Sequence, residues 1–131
     1  MTHYQKAIEV NAHDYCAWSG RGSLFYARNQ YDKALESYGK SIVIKPDYHL
    51  AWYGHGCTLQ MLCQQEEALK SFDKAIEIEP NNYTYCYGRA NALYCLKRYE
   101  DAIKAYDRVI EIKPECPDSL KSRNDLLSRL T

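Results

Sequence analysis

The sequence predicts an all-α fold, a solenoid of 34-residue antiparallel helix pairs, on three observations. The chain superimposes on itself at a shift of 34, an amphipathic phrase occurs three times, and a proline closes each copy. Trp18 falls on Trp52, Gly22 on Gly56 and then Ala90, Ala34 on Ala68 and Ala102, and Pro46 on Pro80 and Pro114. A period of this size is one supersecondary unit, which buries its apolar face only against its neighbours.

The elements follow in order. Tyr4, Ala7 and Ile8 align with Tyr38, Ser41 and Ile42, and Ala12 takes the place of Pro46, so residues 1–14 read as the second helix of an incomplete repeat. Full repeats follow at 15–48, 49–82 and 83–116, then a capping helix at 117–131, all in one domain. An uncovered second helix at the start implies either an excised piece of a longer array or a surface for self-association.

The first helix of each repeat lies near 15–28, 49–62 and 83–96, with Trp18, Gly22 and Phe25, or Trp52, Gly56 and Leu59, facing inward. Glycine costs about 1 kcal/mol relative to alanine in a helix interior, so a recurrent small residue marks a close helix crossing. The second helices lie in YDKALESYGKSIVIKP (31–46), QEEALKSFDKAIEIEP (65–80) and YEDAIKAYDRVIEIKP (99–114). Ala34, Leu35, Tyr38 and Ile42 and their equivalents share one face of these helices. Each proline stops its helix because it lacks an N–H and disfavours helix in the residue before it. Asp47, or Asn81 and Asn82, then supply caps for the next helix. In the capping helix Leu120, Leu127 and Leu130 lie on one side and Lys121, Arg123, Asp125 and Arg129 elsewhere.

W-x3-G-x2-[FL] in one helix, then A-x3-[YF] and a terminal proline in the next, resembles the tetratricopeptide repeat over about 15–116. The wording is most similar to repeats abundant in bacteria, cyanobacteria especially. The sequence departs from the family in three places. Cys86 stands where the other repeats have Trp; Arg21, His55 and Arg89 stand where a leucine-like residue is usual; and Asn29, Cys63 and Lys97 fill a turn position where glycine is commonest. The polar residues need partners. Asp73 and Asp107 in the following helices are candidates, whereas the first repeat offers only Gly39.

The resemblance implies a right-handed superhelix whose first helices line a concave groove. Its rows in this chain are Cys16, Ser19, Ser23, Tyr26 and Ala27; Leu50, Tyr53, Cys57, Gln60 and Met61; and Thr84, Tyr87, Asn91, Tyr94 and Cys95. None of these is charged, and Tyr53, Tyr87, Asn91 and Tyr94 form the expected energetic centre of a neutral, aromatic peptide site. One subclass of the family clamps acidic chaperone tails with lysines, asparagines and an arginine. Here those positions read Ser19, Ser23, Cys57, Thr84 and Gly88, which disfavours that role.

Lys plus Arg and Asp plus Glu balance at 17 each, so no global field favours nucleic acid, membrane or an acidic substrate. No apolar run reaches the roughly 18 residues of a membrane-spanning helix, and the start lacks a basic region followed by an apolar stretch. Six cysteines without a CxxC pair read as reduced thiols in a cytoplasmic protein. Four histidines show no ligand spacing, so no metal is expected, nor any other cofactor. No nucleophile with a base, phosphate-binding glycine loop or paired carboxylates suggests catalysis. The function expected is a scaffold binding a partner protein or peptide. The alternatives are a homo-oligomerising module, using the incomplete first repeat or the last helix, and a regulatory or targeting segment of a larger enzyme.

Overall fold

The computed structural model describes residues 14–130, which form seven α-helices and no strand. The incomplete repeat expected at 1–14 lies, except for Asp14, outside the described residues. Helices α1 (Tyr15–Ala27), α3 (His49–Met61) and α5 (Tyr83–Cys95) are the first helices of three repeats. Their partners are α2 (Tyr31–Ile44), α4 (Gln65–Ile78) and α6 (Tyr99–Ile112), and α7 (Pro117–Leu130) closes the stack.

Each helix packs mainly on the one before and the one after it, and the first helices also touch one another, α1 with α3 and α3 with α5. First helices thus sit side by side on the inner face while the second helices form the outer one, and the solenoid curves around α1, α3 and α5.

The turns carry the expected irregularities. Asn29, Cys63 and Lys97 adopt left-handed φ values of 62°, 61° and 62° between the two helices of their repeats. Lys45, Glu79 and Lys113, each before a proline, end the second helices with φ of −135°, −126° and −134°. Asn82 caps α5 by accepting from the Thr84 and Tyr85 amides, and Asp14 caps α1 through the Ala17 amide. Asp47 does not cap α3: the cap residue is Tyr48, without a side-chain bond, and the Asp47 carboxylate pairs with Lys45.

Aromatic rings from the second helices are the wedges of the core. Phe72 is fully buried, against both Gly56 of its own repeat and Gly88 of the next. A Cβ added at those glycines would come within 2.9 Å and 2.8 Å of the Phe72 ring. Tyr38 holds the corresponding place beside Gly22 and Gly54, and Tyr106 is buried in the third repeat with Ala90. Burying such a ring contributes about 1.5–3 kcal/mol, and the Tyr38 and Phe72 rings each serve two repeats at once. Trp18 and Trp52 are only partly buried, contrary to the inward placement expected; the Trp52 indole N–H donates to the Pro46 carbonyl at 2.7 Å, which ties it to the repeat junction.

Of the three polar positions, Arg89 pairs one repeat earlier than the sequence suggests. Arg89 donates to Asp73 at 2.7 Å and Arg123 to Asp107 at 3.2 Å, each reaching back 16 residues to the preceding repeat. His55, sixteen residues beyond Gly39, turns forward and shares a 2.9 Å hydrogen bond with Ser71. Arg21 lies over the rings of Trp18 and Phe25 at 5.5 Å and 5.2 Å.

In α7 the residues that seal the stack are Ser119 and Leu126, both fully buried, where Leu127 and Leu130 had been expected to share a face with Leu120. In the 34-residue register Leu126 stands at the position of Thr58 and Ala92, which are fully buried. Leu127 stands at that of Leu59 and Leu93, which are 4% and 2% exposed beneath a second helix; Leu127 is 41% exposed.

Candidate functional site on the concave face

Between α1 and α3 the concave face opens into a cavity of about 470 Å³. Its walls are phenols and small side chains: Ser19, Ser23 and Tyr26 from α1, Tyr53 and Cys57 from α3, and Tyr38 from α2. Seven residues of the expected rows are therefore brought together, Cys16 and Leu50 with Ser19, Ser23, Tyr26, Tyr53 and Cys57. Ser19 is 7% exposed and forms wall rather than rim, whereas Ser23 is exposed and shares a 2.8 Å hydrogen bond with the Tyr38 hydroxyl.

The cavity exists because the repeats differ. Where α3 carries Tyr53 and Cys57 and α5 carries Tyr87 and Asn91, α1 has Ser19 and Ser23 at the same register positions. Two small residues leave unfilled what larger ones occupy elsewhere. Sequence reasoning missed four contributors, Gly20 of α1 among them. Tyr48 reaches the cavity from the cap position of α3, its ring edge-on to Tyr15 at 4.8 Å; Gly54 lets Tyr38 approach; and Tyr38 itself, read as core, also lines the space. The self-alignment held a signal for Gly54, since Gly20, Gly54 and Gly88 recur in register.

Burial governs the electrostatics. The Tyr48 phenol is pushed up to about 12 by desolvation, with Cys16 adding to it. Tyr53 and Tyr26 are also raised, by burial first and then by the neighbouring Cys57. The Tyr38 phenol is raised by burial against the opposing effect of its bond to Ser23. Burial likewise raises the Cys57 thiol, so it is protonated near neutrality and is a poor nucleophile. No charged side chain is among the described residues that line the cavity.

The remaining named residues lie further along the concave face and are engaged within the fold. Gln60 donates to the Gly88 carbonyl at 3.3 Å, and Asn91 accepts from the Tyr106 hydroxyl at 2.6 Å. Tyr87 meets the Tyr106 ring edge-on at 5.9 Å, and Tyr94 meets Tyr99 at 5.8 Å while accepting from Arg129 at 3.2 Å. Tyr53 stacks on Tyr85 at 4.9 Å. Of the clamp positions, Gly88 is buried against Phe72 and presents no side chain to the groove.

Among the described residues no three His, Cys, Asp or Glu side chains converge as a metal would require, and no helix is long and apolar enough to cross a membrane.

Comparison with known proteins agrees with this architecture. No curated protein matches the sequence. Among solved structures, MamA superimposes with a TM-score of 0.91 at 20% identity, over 95% of this chain and 73% of that one. YrrB, described as a repeat protein with an unusual peptide-binding site, gives 0.90 at 23% identity over 98% and 66%. The first repeat domain of Spaghetti (RPAP3), bound to the HSP90 peptide SRMEEVD, gives 0.86 at 19% identity over 88% and 92%. Tetratricopeptide repeat models match residues 22–62, 50–82 and 83–116 in turn, and the chain belongs to the tetratricopeptide repeat family.

Proposed function

We propose that this chain is a non-catalytic protein-interaction module that holds a segment of a partner protein against α1, α3 and α5. The observation that carries this reading is the concave cavity, which joins an open, uncharged, tyrosine-rich surface to a rigid helical frame. Tyrosines offer large contact area with little rotamer entropy to lose, and they leave hydroxyls for hydrogen bonding. Relatives of the same fold bind peptides, among them the Spaghetti domain with its acidic HSP90 peptide.

The ligand differs from such a tail. Ser19, Ser23, Cys57, Thr84 and Gly88 offer no cation to a carboxylate, and an anion buried without a partner is costly. A cytoplasmic setting, in which the six cysteines stay reduced, fits the same picture. Affinity capture from the source cell, comparing the chain with a Tyr53→Ala, Tyr87→Ala double variant of unchanged helicity, tests the reading. Partners lost from the variant support it; an identical set on both proteins contradicts it. In parallel, the peptide SRMEEVD is expected to show no saturable binding.

A second reading, self-association through α7, draws on Leu127 and Leu130, which are 41% and 48% exposed. A mass that rises with concentration and falls back on Leu127→Glu would favour it.

A further inference from the structure

The geometry points to an aromatic side chain of a partner peptide as the occupant of the cavity between α1 and α3; we propose that this one insertion sets the specificity of the module. The inference rests on the reading of the concave face as the binding surface.

Three features select that occupant. The first is size: about 470 Å³ is within the range of small-ligand sites and accommodates a bulky ring together with the backbone that carries it. The second is the lining. Tyr26, Tyr48 and Tyr53 supply ring faces and edges, and Cys16 and Cys57 supply sulfur, surfaces that suit an aromatic guest through edge-to-face and sulfur–ring contacts. The third is charge. No charged side chain in the described lining can pair with a carboxylate, phosphate or ammonium, and burial raises all four phenols, so the cavity favours a neutral guest over a charged one.

The wall also carries one polar handle. Ser23 and Tyr38 share a single hydrogen bond, so one of their two hydroxyl protons is left to donate elsewhere. A guest with a polar edge, such as tyrosine or tryptophan, meets that handle.

The sister repeats supply the variants that test this. Ser19→Tyr copies Tyr53 and Tyr87, and Ser23→Asn copies Asn91, which already bonds Tyr106 as Ser23 bonds Tyr38. Both fill the cavity with residues the fold accepts in the same register. A displayed random dodecapeptide library would be selected on the wild-type chain. The peptides recovered would then be synthesised with blocked termini and titrated against the wild type, both variants, and Tyr87→Ala further along the groove. The proposal expects one aromatic residue common to the peptides, at least tenfold weaker binding to each cavity-filling variant, and tenfold loss when that aromatic is replaced by glutamate. Peptides weakened by Tyr87→Ala but unaffected by Ser19→Tyr and Ser23→Asn would overturn the cavity assignment and leave the groove reading intact. Peptides indifferent to all three substitutions would overturn both. Should Ser19→Tyr lose helicity, Ser23→Asn alone decides.

Discussion

The Tyr38 ring lies so close to Gly54 that a Cβ added there would fall 2.4 Å from its carbons. The ring belongs to the first repeat and the glycine to the second, so this contact is part of the joint between them. Gly54→Ala must displace the ring or part the helices, at a cost of about 1–3 kcal/mol. Gly39, also mid-helix, has nothing within 4 Å of the same atom, and Gly39→Ala is expected to stabilise by about 0.5–1 kcal/mol. Opposite shifts in the urea midpoint check the pair.

Left-handed backbone at Cys63 and Lys97 costs these residues energy that glycine would not incur. Cys63→Gly and Lys97→Gly are each expected to raise stability by about 0.5–1 kcal/mol, net of the entropy glycine adds to the unfolded chain. Asn29→Gly is expected to change little, because asparagine adopts this geometry readily and Asn29 also accepts a hydrogen bond from Tyr31 at 2.9 Å. Thermal denaturation of the three variants measures the ranking.

Arg89 belongs with Asp73, across the repeat boundary, and not with Asp107. A double-mutant cycle on Arg89 and Asp73 is expected to give a coupling of about 0.2–1 kcal/mol that shrinks with salt, since both side chains are partly solvated. The corresponding cycle on Arg89 and Asp107 is expected to give none.

These outcomes show where the sequence was informative. The order of the helices over 15–130 was legible because the repeat brought four independent markers into register, while the helix expected at 1–14 lies outside the described residues. The left-handed turn was legible from Asn29, Cys63 and Lys97 standing in a glycine position. The pairing of Arg89 was not, because a helix position faces two neighbours and the register alone does not say which. The concave rows were half legible. Their faces were assigned by family resemblance, but the cavity depends on a difference between repeats, Ser19 and Ser23 against their bulkier counterparts, and on Tyr48 entering from outside the helices proper. Asn91 and Gln60 looked free in sequence and are in fact bonded to Tyr106 and Gly88.

His55 gives the fold a pH dependence of definite sign. Burial lowers its pKa below the usual 6.5, partly opposed by Glu67, so the folded chain holds the ring neutral where the unfolded chain would protonate it. The stability it contributes is complete above 6.5 and is lost as pH falls from there through the folded value. His55→Gln is expected to lose less melting temperature than the wild type between about pH 7.5 and 5. Equal losses in the two proteins would contradict this.

The most direct test of the central claim is amide hydrogen exchange on the chain alone and saturated with a captured partner. Binding in the concave groove predicts slowed exchange in α1, α3 and α5, strongest around Ser23–Tyr26 and Tyr53–Cys57, with the outer helices α2, α4 and α6 unchanged on their exposed sides. Protection confined to the outer helices or to α7 would contradict it.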